Sequence, residues 1–273
     1  KLFDKSTCSF NNTISNLYCA SSSTDRYPDN TSLIGLFTGS SSTSQLISGN
    51  TISGLYETDN SDSYVMGFGY YNNVAKGTFE KNRIYNLNHS STTGLAKIWG
   101  INGFWGAWNI YNNQITITNG ETYDSHNNGS NSQQNRSNET NEKTPESDAL
   151  SMYSFKDAPV VKTDIDKAKN EELDFSTNGV EIKGIHDEAE FPSLYYYNSI
   201  YIGGTATGGS ANSWAYDRPL LSWATNAALR NNLFYNARTG GSGSHYAIGN
   251  EVGILNWTGT SADYNVYIAP VAS

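Results

Sequence analysis

Short apolar segments recur along this chain, and each one begins just after an asparagine. In the clearest copy, Asn50 is followed by Thr-Ile-Ser-Gly-Leu-Tyr, which contains Ile52 and Leu55. Successive asparagines of this kind are separated by 38, 32, 31, 85, 34 and 33 residues. A repeat of this length predicts a solenoid, in which each unit buries its apolar side chains only against its neighbours. The complete set is Asn12, Asn50, Asn82, Asn113, Asn198, Asn232 and Asn265.

A second row of apolar segments runs midway between these asparagines. Ile34, Met66 and Ile98 are 32 and 32 residues apart, and Ile182 and Ile248 hold the same position before later asparagines. The segments are short, rich in β-branched and aromatic residues and bounded by Gly, Asn and Ser, so they predict strands. Two strands per repeat, stacked in register, predict an all-β fold: a parallel β-helix of about eight coils.

The repeated asparagines are predicted to be structural. Asparagine tolerates the left-handed backbone angles of a tight corner and bonds to local backbone groups. In successive coils the side chains can also hydrogen-bond one another, which satisfies amides that would otherwise be buried without partners.

Several segments resemble a known superfamily. Leu229 to Asn236, Gly243 to Ile248 and Ser261 to Tyr267 are similar to right-handed β-helix repeats of the pectin-lyase-like superfamily, and in particular to those of large secreted bacterial surface proteins. The resemblance covers most of the chain except residues 119–174. It implies a right-handed solenoid outside the cell, but no single activity, because the superfamily includes lyases, hydrolases, adhesins and structural proteins.

The domain organisation follows from the continuous period. Residues 1–273 are predicted to form a single β-helix domain, interrupted by a polar loop insertion at 119–148 and an irregular coil at 149–178. The insertion contains no Ile, Leu, Val, Met or Phe, and it has six acidic against two basic residues. One of the eight coils is expected near Met152, between the insertion and Ile182.

Composition excludes some classes of partner. The net charge of −9 and the absence of a basic patch argue against nucleic acid. The apolar runs are too short to span a membrane. Because the chain begins at Lys1 without a signal-like segment, we expect a processed product or a piece of a longer protein.

The two cysteines, Cys8 and Cys19, both fall in the first coil. A disulfide between them would staple that coil and implies an oxidising compartment. The alternatives are two reduced core thiols, or a metal pair that lacks further ligands.

Both ends of the sequence lie on the repeat itself, without a polar helix to cover them. An uncovered coil exposes unpaired strand edges, which pair readily with another chain. We therefore expect the protein to associate with itself end to end. The residues expected to carry this contact are Asn12, Ile14 and Leu17 at one end and Asn265, Val266 and Ile268 at the other.

Carboxylates on the predicted strands are few, which argues against an enzyme. Hydrolysis of a polysaccharide needs two converging carboxylates, whereas Glu80, Glu181 and Asp263 are scattered along the axis. The densest acid/base group, residues 186–190, is predicted to be a solvated loop rather than a catalytic or cation site. Residues 217–219 (Asp-Arg-Pro) are predicted to form a turn rather than an Arg-Pro pair similar to that of lyases.

No metal site or cofactor is predicted. Asp59, Asn60 and Asp62 have the composition of a calcium loop but lack its glycine and distal glutamate. The four histidines are dispersed along the sequence.

Two features suggest contact with sugars. Trp99, Trp105 and Trp108 form the densest aromatic group: exposed, they would be a platform on which sugars stack, and buried, they would fill the core. At least one of them is expected in the core. Glycosylation is possible at sequons in the loops that follow the asparagine-led strands, namely Asn30, Asn88, Asn128, Asn135 and Asn138.

Taken together, the sequence predicts a non-enzymatic structural protein, extracellular or at the cell surface, whose partner is a second copy of itself in a fibre. The first alternative is a carbohydrate-binding adhesin. The second is a polysaccharide lyase or hydrolase.

Overall fold

The computed structural model describes residues 8–40, 45–59, 61–71, 76–91, 95–118, 179–219, 227–250 and 261–270. Within these ranges the chain forms 22 strands, numbered β1 to β22 along the sequence, and no helix. The loop insertion at 119–148 and the irregular coil at 149–178 lie outside the described residues. The prediction of a coil near Met152, stacked between those of Ile98 and Ile182, was wrong, because Ile98 pairs directly with Ile182.

The strands build three long parallel sheets and one short one. Sheet A consists of β1 (Cys8–Phe10), β4 (Leu46–Ser48), β7 (Lys76–Glu80), β10 (Ala107–Tyr111), β13 (Ser193–Tyr196), β17 (Ala227–Arg230) and β21 (Ser261–Asp263). Sheet B consists of β2 (Thr13–Cys19), β5 (Thr51–Glu57), β8 (Arg83–His89), β11 (Gln114–Ile117), β14 (Ser199–Ile202), β18 (Leu233–Asn236) and β22 (Val266–Ile268).

Sheet C consists of β3 (Leu33–Thr38), β6 (Tyr64–Tyr71), β9 (Lys97–Phe104), β12 (Glu181–Glu188), β16 (Ser213–Arg218) and β20 (His245–Asn250). The short sheet D pairs β15 (Thr205–Ala206) with β19 (Thr239–Gly240). Every strand pairs with its equivalent in the neighbouring repeat and not with its sequence neighbour, so the fold is a parallel β-solenoid. The predicted all-β solenoid is confirmed.

A typical repeat contributes one strand to each of the three long sheets, rather than the two strands that were predicted. The missed strand belongs to sheet A and ends directly before the corner that leads to the asparagine. Its sequence signal is an apolar side chain three residues before the asparagine, as at Ile47, Phe79 and Ile110. These segments are only three to five residues long, so the sequence pattern did not distinguish them from the adjacent corner residues.

The strands before and after the long insertion pair directly with each other. β9 pairs with β12, and β11 pairs with β14, so the strands that flank residues 119–178 are neighbours in space. Sheets A and B therefore contain seven strands each within the described residues, and sheet C contains six.

The asparagines form the predicted ladder. Asn82 illustrates the pattern: its Nδ2 donates to Asn113 Oδ1 at 3.1 Å and to the Ile47 carbonyl at 3.0 Å. Its own Oδ1 accepts from the backbone N and the Nδ2 of Asn50, at 2.8 and 3.0 Å. The same side-chain bond links each of the seven asparagines to the next.

The left-handed corner lies one residue earlier than predicted. Positive φ angles occur at the residue before the ladder asparagine, for example 53° at Asn112, 59° at Tyr197 and 71° at Gly49. The role of the ladder asparagine is therefore to form side-chain hydrogen bonds and not to adopt a left-handed backbone angle. Several residue types occur at the corner position before it.

In the second apolar row, Ile34 pairs with Met66 as predicted, but the row shifts by one residue at Ile98. Met66 pairs with Trp99, whereas Ile98 pairs with Val65 and then with Ile182. Because neighbouring residues of a strand face opposite sides, Ile98 points into the core and Met66 points outward. The equal spacing of these residues in the sequence did not predict their register, because the loops between the strands differ in length.

Candidate functional site

A bend in the middle of the sheet C strands brings charged residues together on the outer face. Ile182 and Ile185 both belong to the core, although residues three apart in a regular strand face opposite sides. Gly184 lies between them outside the paired register, like its equivalents in the neighbouring strands, and a Cβ there would lie 2.3 Å from Ile200 Cγ2 and 2.5 Å from the Ala215 carbonyl. The register is the same on both sides of this bend, which allows Lys183 and His186 to share the outer face.

Lys183 lies in a row with three aromatic residues. On β9, β12, β16 and β20 the paired positions are Trp99, Lys183, Trp214 and Tyr246. Lys183 Nζ lies 5.2 Å from the ring centroid of Trp99 and 5.1 Å from that of Trp214, and both are cation–π distances. Trp214 and Tyr246 stack with their centroids 5.9 Å apart.

Beside this row, His186 is held between two carboxylates. His186 Nδ1 lies 2.8 Å from Asp217 Oδ2, and Nε2 lies 3.0 Å from Glu188 Oε1. Lys183 Nζ forms ion pairs with Asp217 at 2.8 Å and with Glu181 at 3.5 Å. We call these five residues the sheet C cluster. It contains three acidic and two basic groups in adjacent strands.

The loop between β2 and β3 covers one side of the sheet C cluster. Arg26 Nη1 forms an ion pair with Glu188 Oε1 at 2.7 Å, although the residues are 162 positions apart. The backbone carbonyl of Arg26 accepts a hydrogen bond from Asn102 Nδ2 at 3.0 Å. Pro28 packs so closely on Gly69 that a Cβ there would lie 2.6 Å away.

The hydrogen bonds set the charge of the central pair. Burial and Lys183 lower the pKa of His186, but the hydrogen bonds to Asp217 and Glu188 outweigh them, and the net shift is upward. Burial opposes ionisation of Asp217, but His186 and Lys183 hold the pKa of this carboxyl below its usual value. The geometry therefore favours an imidazolium between two carboxylates.

Exposure of the aromatic row increases toward the later coils. Trp99 is 3 % exposed and donates from Nε1 to Glu181 at 3.1 Å. Trp214 is half-buried, and Tyr246 is 43 % exposed. Solvent therefore reaches aromatic faces beside the charged cluster, an arrangement that suits ligands with both apolar and hydroxyl-bearing surfaces.

The three tryptophans predicted as one platform are separated in the structure. Trp108 is fully buried in the core. Trp105 is half-buried and stacks on Tyr71 at 5.3 Å, and only Trp99 borders the sheet C cluster. The expectation that at least one of them lies in the core is confirmed. The exposed aromatics of the site, Trp214 and Tyr246, were not predicted.

The predictions for the acidic segments were wrong. Residues 186–188 are buried strand residues of β12 and not a solvated loop, and Asp217 and Arg218 belong to β16 and not to a turn. Their partners lie far away in the sequence: Asp217 contacts His186 from 31 positions away, and Arg26 contacts Glu188 from 162 positions away. The local sequence therefore did not show that these charges have partners.

The other predicted carboxylates do not converge. Of Glu80, Glu181 and Asp263, only Glu181 belongs to the sheet C cluster. Glu80 pairs with Lys81 at 3.3 Å, and Asp263 is an exposed residue of β21. Asp187 faces the interior, where it accepts a hydrogen bond from the Tyr216 hydroxyl at 2.6 Å.

The predicted disulfide is not shown. Cys19 carries a free thiol, which lies 3.5 Å from the Ser32 carbonyl, and burial raises its pKa to about 11. The side chain of Cys8 lies outside the described residues.

The sequons fall into three groups. Asn88 is 2 % exposed, and its Nδ2 donates to the Asn86 carbonyl at 3.1 Å, so this nitrogen cannot carry a glycan. Asn30 is exposed in the loop before β3 and stays a prediction. Asn128, Asn135 and Asn138 lie outside the described residues.

Among the described residues, no group of three or more His, Cys, Asp and Glu side chains is arranged to hold a metal ion. The described part of the chain has no helix long and apolar enough to cross a membrane.

Comparisons with protein-family models, curated proteins and solved structures found no match. The fold defines the chain as a parallel β-solenoid.

Proposed function

We propose that this chain is an extracellular β-solenoid protein that binds carbohydrate on the outer face of sheet C. The observation that carries the proposal is the row of Trp99, Lys183, Trp214 and Tyr246 beside the sheet C cluster. The resemblance of the repeats to pectin-lyase-like surface proteins supports the extracellular location and a right-handed winding of the coils.

The row has the two kinds of contact that sugar rings need. Trp214 lies between Lys183 and Tyr246 and stacks on Tyr246, so the exposed part of the Tyr246 ring is the apolar surface available to the C–H side of a pyranose. Glu181 and Lys183 lie in the same part of sheet C, where they can hydrogen-bond hydroxyl groups. The half-exposed aromatics give the ligand access without unfolding the covering loop.

The sheet C cluster favours binding over catalysis. Asp217 Oδ2 already contacts both His186 and Lys183, and Glu188 Oε1 contacts both His186 and Arg26. Carboxylates with two such contacts fix the side chains on the outer face of sheet C. A glycosidase, in contrast, needs one carboxyl group that is free to donate its proton.

We expect replacement of Trp214 by alanine to weaken oligosaccharide binding about tenfold, which corresponds to about 1.4 kcal/mol. The reason is that Trp214 holds the exposed Tyr246 ring in place by stacking on it. A glycan array would identify the ligand, and isothermal titration calorimetry with the strongest binder would measure the change.

The matched control for this experiment is Tyr196→Ala, because Tyr196 is a half-buried aromatic stacked on Tyr111 at 5.5 Å, but on sheet A. It should leave the affinity unchanged. No binding by the intact protein, or equal losses in both variants, would contradict the proposal. Cleavage of the bound glycan would instead support a lyase or hydrolase.

End-to-end association is a second candidate function. Apolar and aromatic side chains are exposed on the last described coil: Tyr264 is 83 % exposed and Val266 52 %. Phe10 and Leu17 are exposed on the first coil. The ladder is also directional, because Asn12 donates to its neighbour while Asn265 accepts, so one end complements the other.

We expect the purified protein to form filaments whose axial repeat equals the length of one molecule. Negative-stain electron microscopy measures this directly. Val266→Lys should abolish the filaments, since it places a charge on the exposed edge strand, and the exposed Arg83→Gln on a middle coil should not. Monodisperse particles at high concentration would rule out association of this chain alone.

A further inference from the structure

The loop between β2 and β3 is held together by its own hydrogen bonds. Ser23 Oγ donates to the Asn30 carbonyl at 2.8 Å, and Ser32 Oγ donates to the Ser23 carbonyl at 2.7 Å, so residues 20–32 form a closed Ω-loop. The backbone N of Asn30 donates to the Tyr27 carbonyl within the same loop. Among the described residues, no backbone–backbone hydrogen bond joins this loop to a sheet. The loop can therefore move as one body without breaking the ladder of a sheet.

Side chains hold the tip of the loop on the outer face of sheet C. Arg26 Nη1 pairs with Glu188 Oε1 at 2.7 Å, and the Arg26 carbonyl accepts from Asn102 Nδ2 at 3.0 Å. The Tyr27 ring lies edge-on to Phe104, with the two centroids 4.6 Å apart. Because the Arg26 side chain is 39 % exposed, water can solvate the guanidinium as the tip lifts. Contacts of this kind favour local opening of the loop over unfolding of the coil.

Two buried acceptor atoms beneath the tip lack hydrogen-bond partners. Glu188 Oε2 and Asn102 Oδ1 have none among the described residues, and each of these two residues is only 1 % exposed. The other polar atom of each side chain contacts Arg26. His186 lies between them, since it pairs with Asn102 in the register and hydrogen-bonds Glu188. A buried acceptor without a donor is costly, so two of them side by side point to donors that arrive with a ligand.

We propose that residues 20–32 are a lid, that Arg26 is its latch, and that Glu188 and Asn102 beneath it form a subsite for hydroxyl groups of a carbohydrate. The inference rests on the proposed binding of carbohydrate at sheet C. Carboxylate and amide oxygens both accept hydrogen bonds from hydroxyl groups. A sugar on the exposed Tyr246 ring does not require the loop to move, whereas a further sugar unit reaches the subsite only when Arg26 releases Glu188.

Thiol labelling of the ligand-free chain tests the lid. Cys8 and Cys19 are first replaced by serine, and Asn102→Cys then places one thiol beneath the loop. A buried thiol reacts only when the structure opens, so its rate of reaction with iodoacetamide reports the opening equilibrium. We expect Arg26→Gln to speed this reaction about tenfold, which corresponds to about 1.4 kcal/mol in the opening equilibrium.

Two controls separate opening of the lid from loss of the fold. Ile110→Cys places the thiol in the core of another sheet, and Arg26→Gln should leave its labelling rate unchanged. Arg83→Gln removes an exposed arginine of β8 and should leave the labelling rates of both thiols unchanged. Equal rates at Asn102→Cys with and without Arg26 would overturn the lid. Faster labelling of both thiols in Arg26→Gln would overturn it as well, because Arg26 would then stabilise the whole fold.

Calorimetry with oligosaccharides of two lengths tests the subsite. The probes are the strongest tetrasaccharide of the glycan array and its monosaccharide. Arg26→Gln should tighten binding of the tetrasaccharide about tenfold, because the latch no longer competes for Glu188, and should leave the affinity for the monosaccharide unchanged. Equal or weaker binding of the tetrasaccharide would refute the subsite. If no glycan binds, the subsite fails together with the proposed function, while the labelling rates still decide whether the loop is a lid.

Discussion

Replacement of Asn82 by alanine is expected to lower the free energy of unfolding by about 3–5 kcal/mol, the largest effect of any single ladder substitution that we predict. The change removes both hydrogen bonds donated by Asn82 Nδ2 and both accepted by its Oδ1. It leaves the Ile47 carbonyl and both nitrogens of Asn50 buried without these partners. Chemical denaturation followed by circular dichroism measures the loss.

The control is Asn12→Ala, at the first and exposed position of the ladder. Asn12 donates to Asn50 Oδ1 at 3.0 Å, but its loss buries no unpaired group, so we expect a change below about 1 kcal/mol. Equal losses in the free energy of unfolding of the Asn82 and Asn12 variants would show that burial of the ladder hydrogen bonds adds little to stability.

Replacement of Asp217 by asparagine is expected to lower the free energy of unfolding by about 3–5 kcal/mol, because it leaves Lys183 and His186 as buried charges without their shared partner. The same change should lower the pKa of His186, since Asp217 is one of the groups that raise it. Denaturation measures the first effect, and NMR titration of the imidazole measures the second.

The control is Asp263→Asn, because Asp263 is exposed on β21, and we expect a change below about 0.5 kcal/mol. An unchanged His186 pKa in Asp217→Asn would show that Asp217 does not hold the imidazolium, whatever the loss of stability.

The pH dependence has a definite sign. The folded pKa of His186 lies above its ordinary value of 6.5, so its contribution is complete below that value and is lost as the pH rises through the folded pKa. The folded pKa of Asp217 lies below its ordinary value of 3.8, so its contribution is lost as the pH falls through the folded pKa. The sheet C cluster therefore stabilises the protein most between these two ordinary values.

The sequence by itself determined the solenoid. Each asparagine of the ladder meets the same residue type in the next coil, and this contact requires the same offset in every repeat. Identical interactions between repeats leave a period in the sequence, and the period was sufficient to predict parallel strands that stack in register. It also identified the asparagine side chains as partners of one another.

The candidate site could not be predicted in the same way, because its charged side chains occur in only a few coils. The bend at Gly184, which recurs in the strands of sheet C, places Lys183 and His186 on one face, against the period of a regular strand. Asp217 joins them only because β16 pairs with β12. No local pattern in the sequence encodes these contacts.

Only the tertiary structure decided which charges meet. Arg26 reaches Glu188 because the loop between β2 and β3 contacts β6 and β9, and because β9 pairs with β12 although residues 119–178 separate them in the sequence. A loop of any length can join two neighbouring coils, since the entropy cost of closing a loop grows only slowly with its length. At the insertion, the distance in the sequence therefore did not show which coils are neighbours, and the backbone pairing determines it.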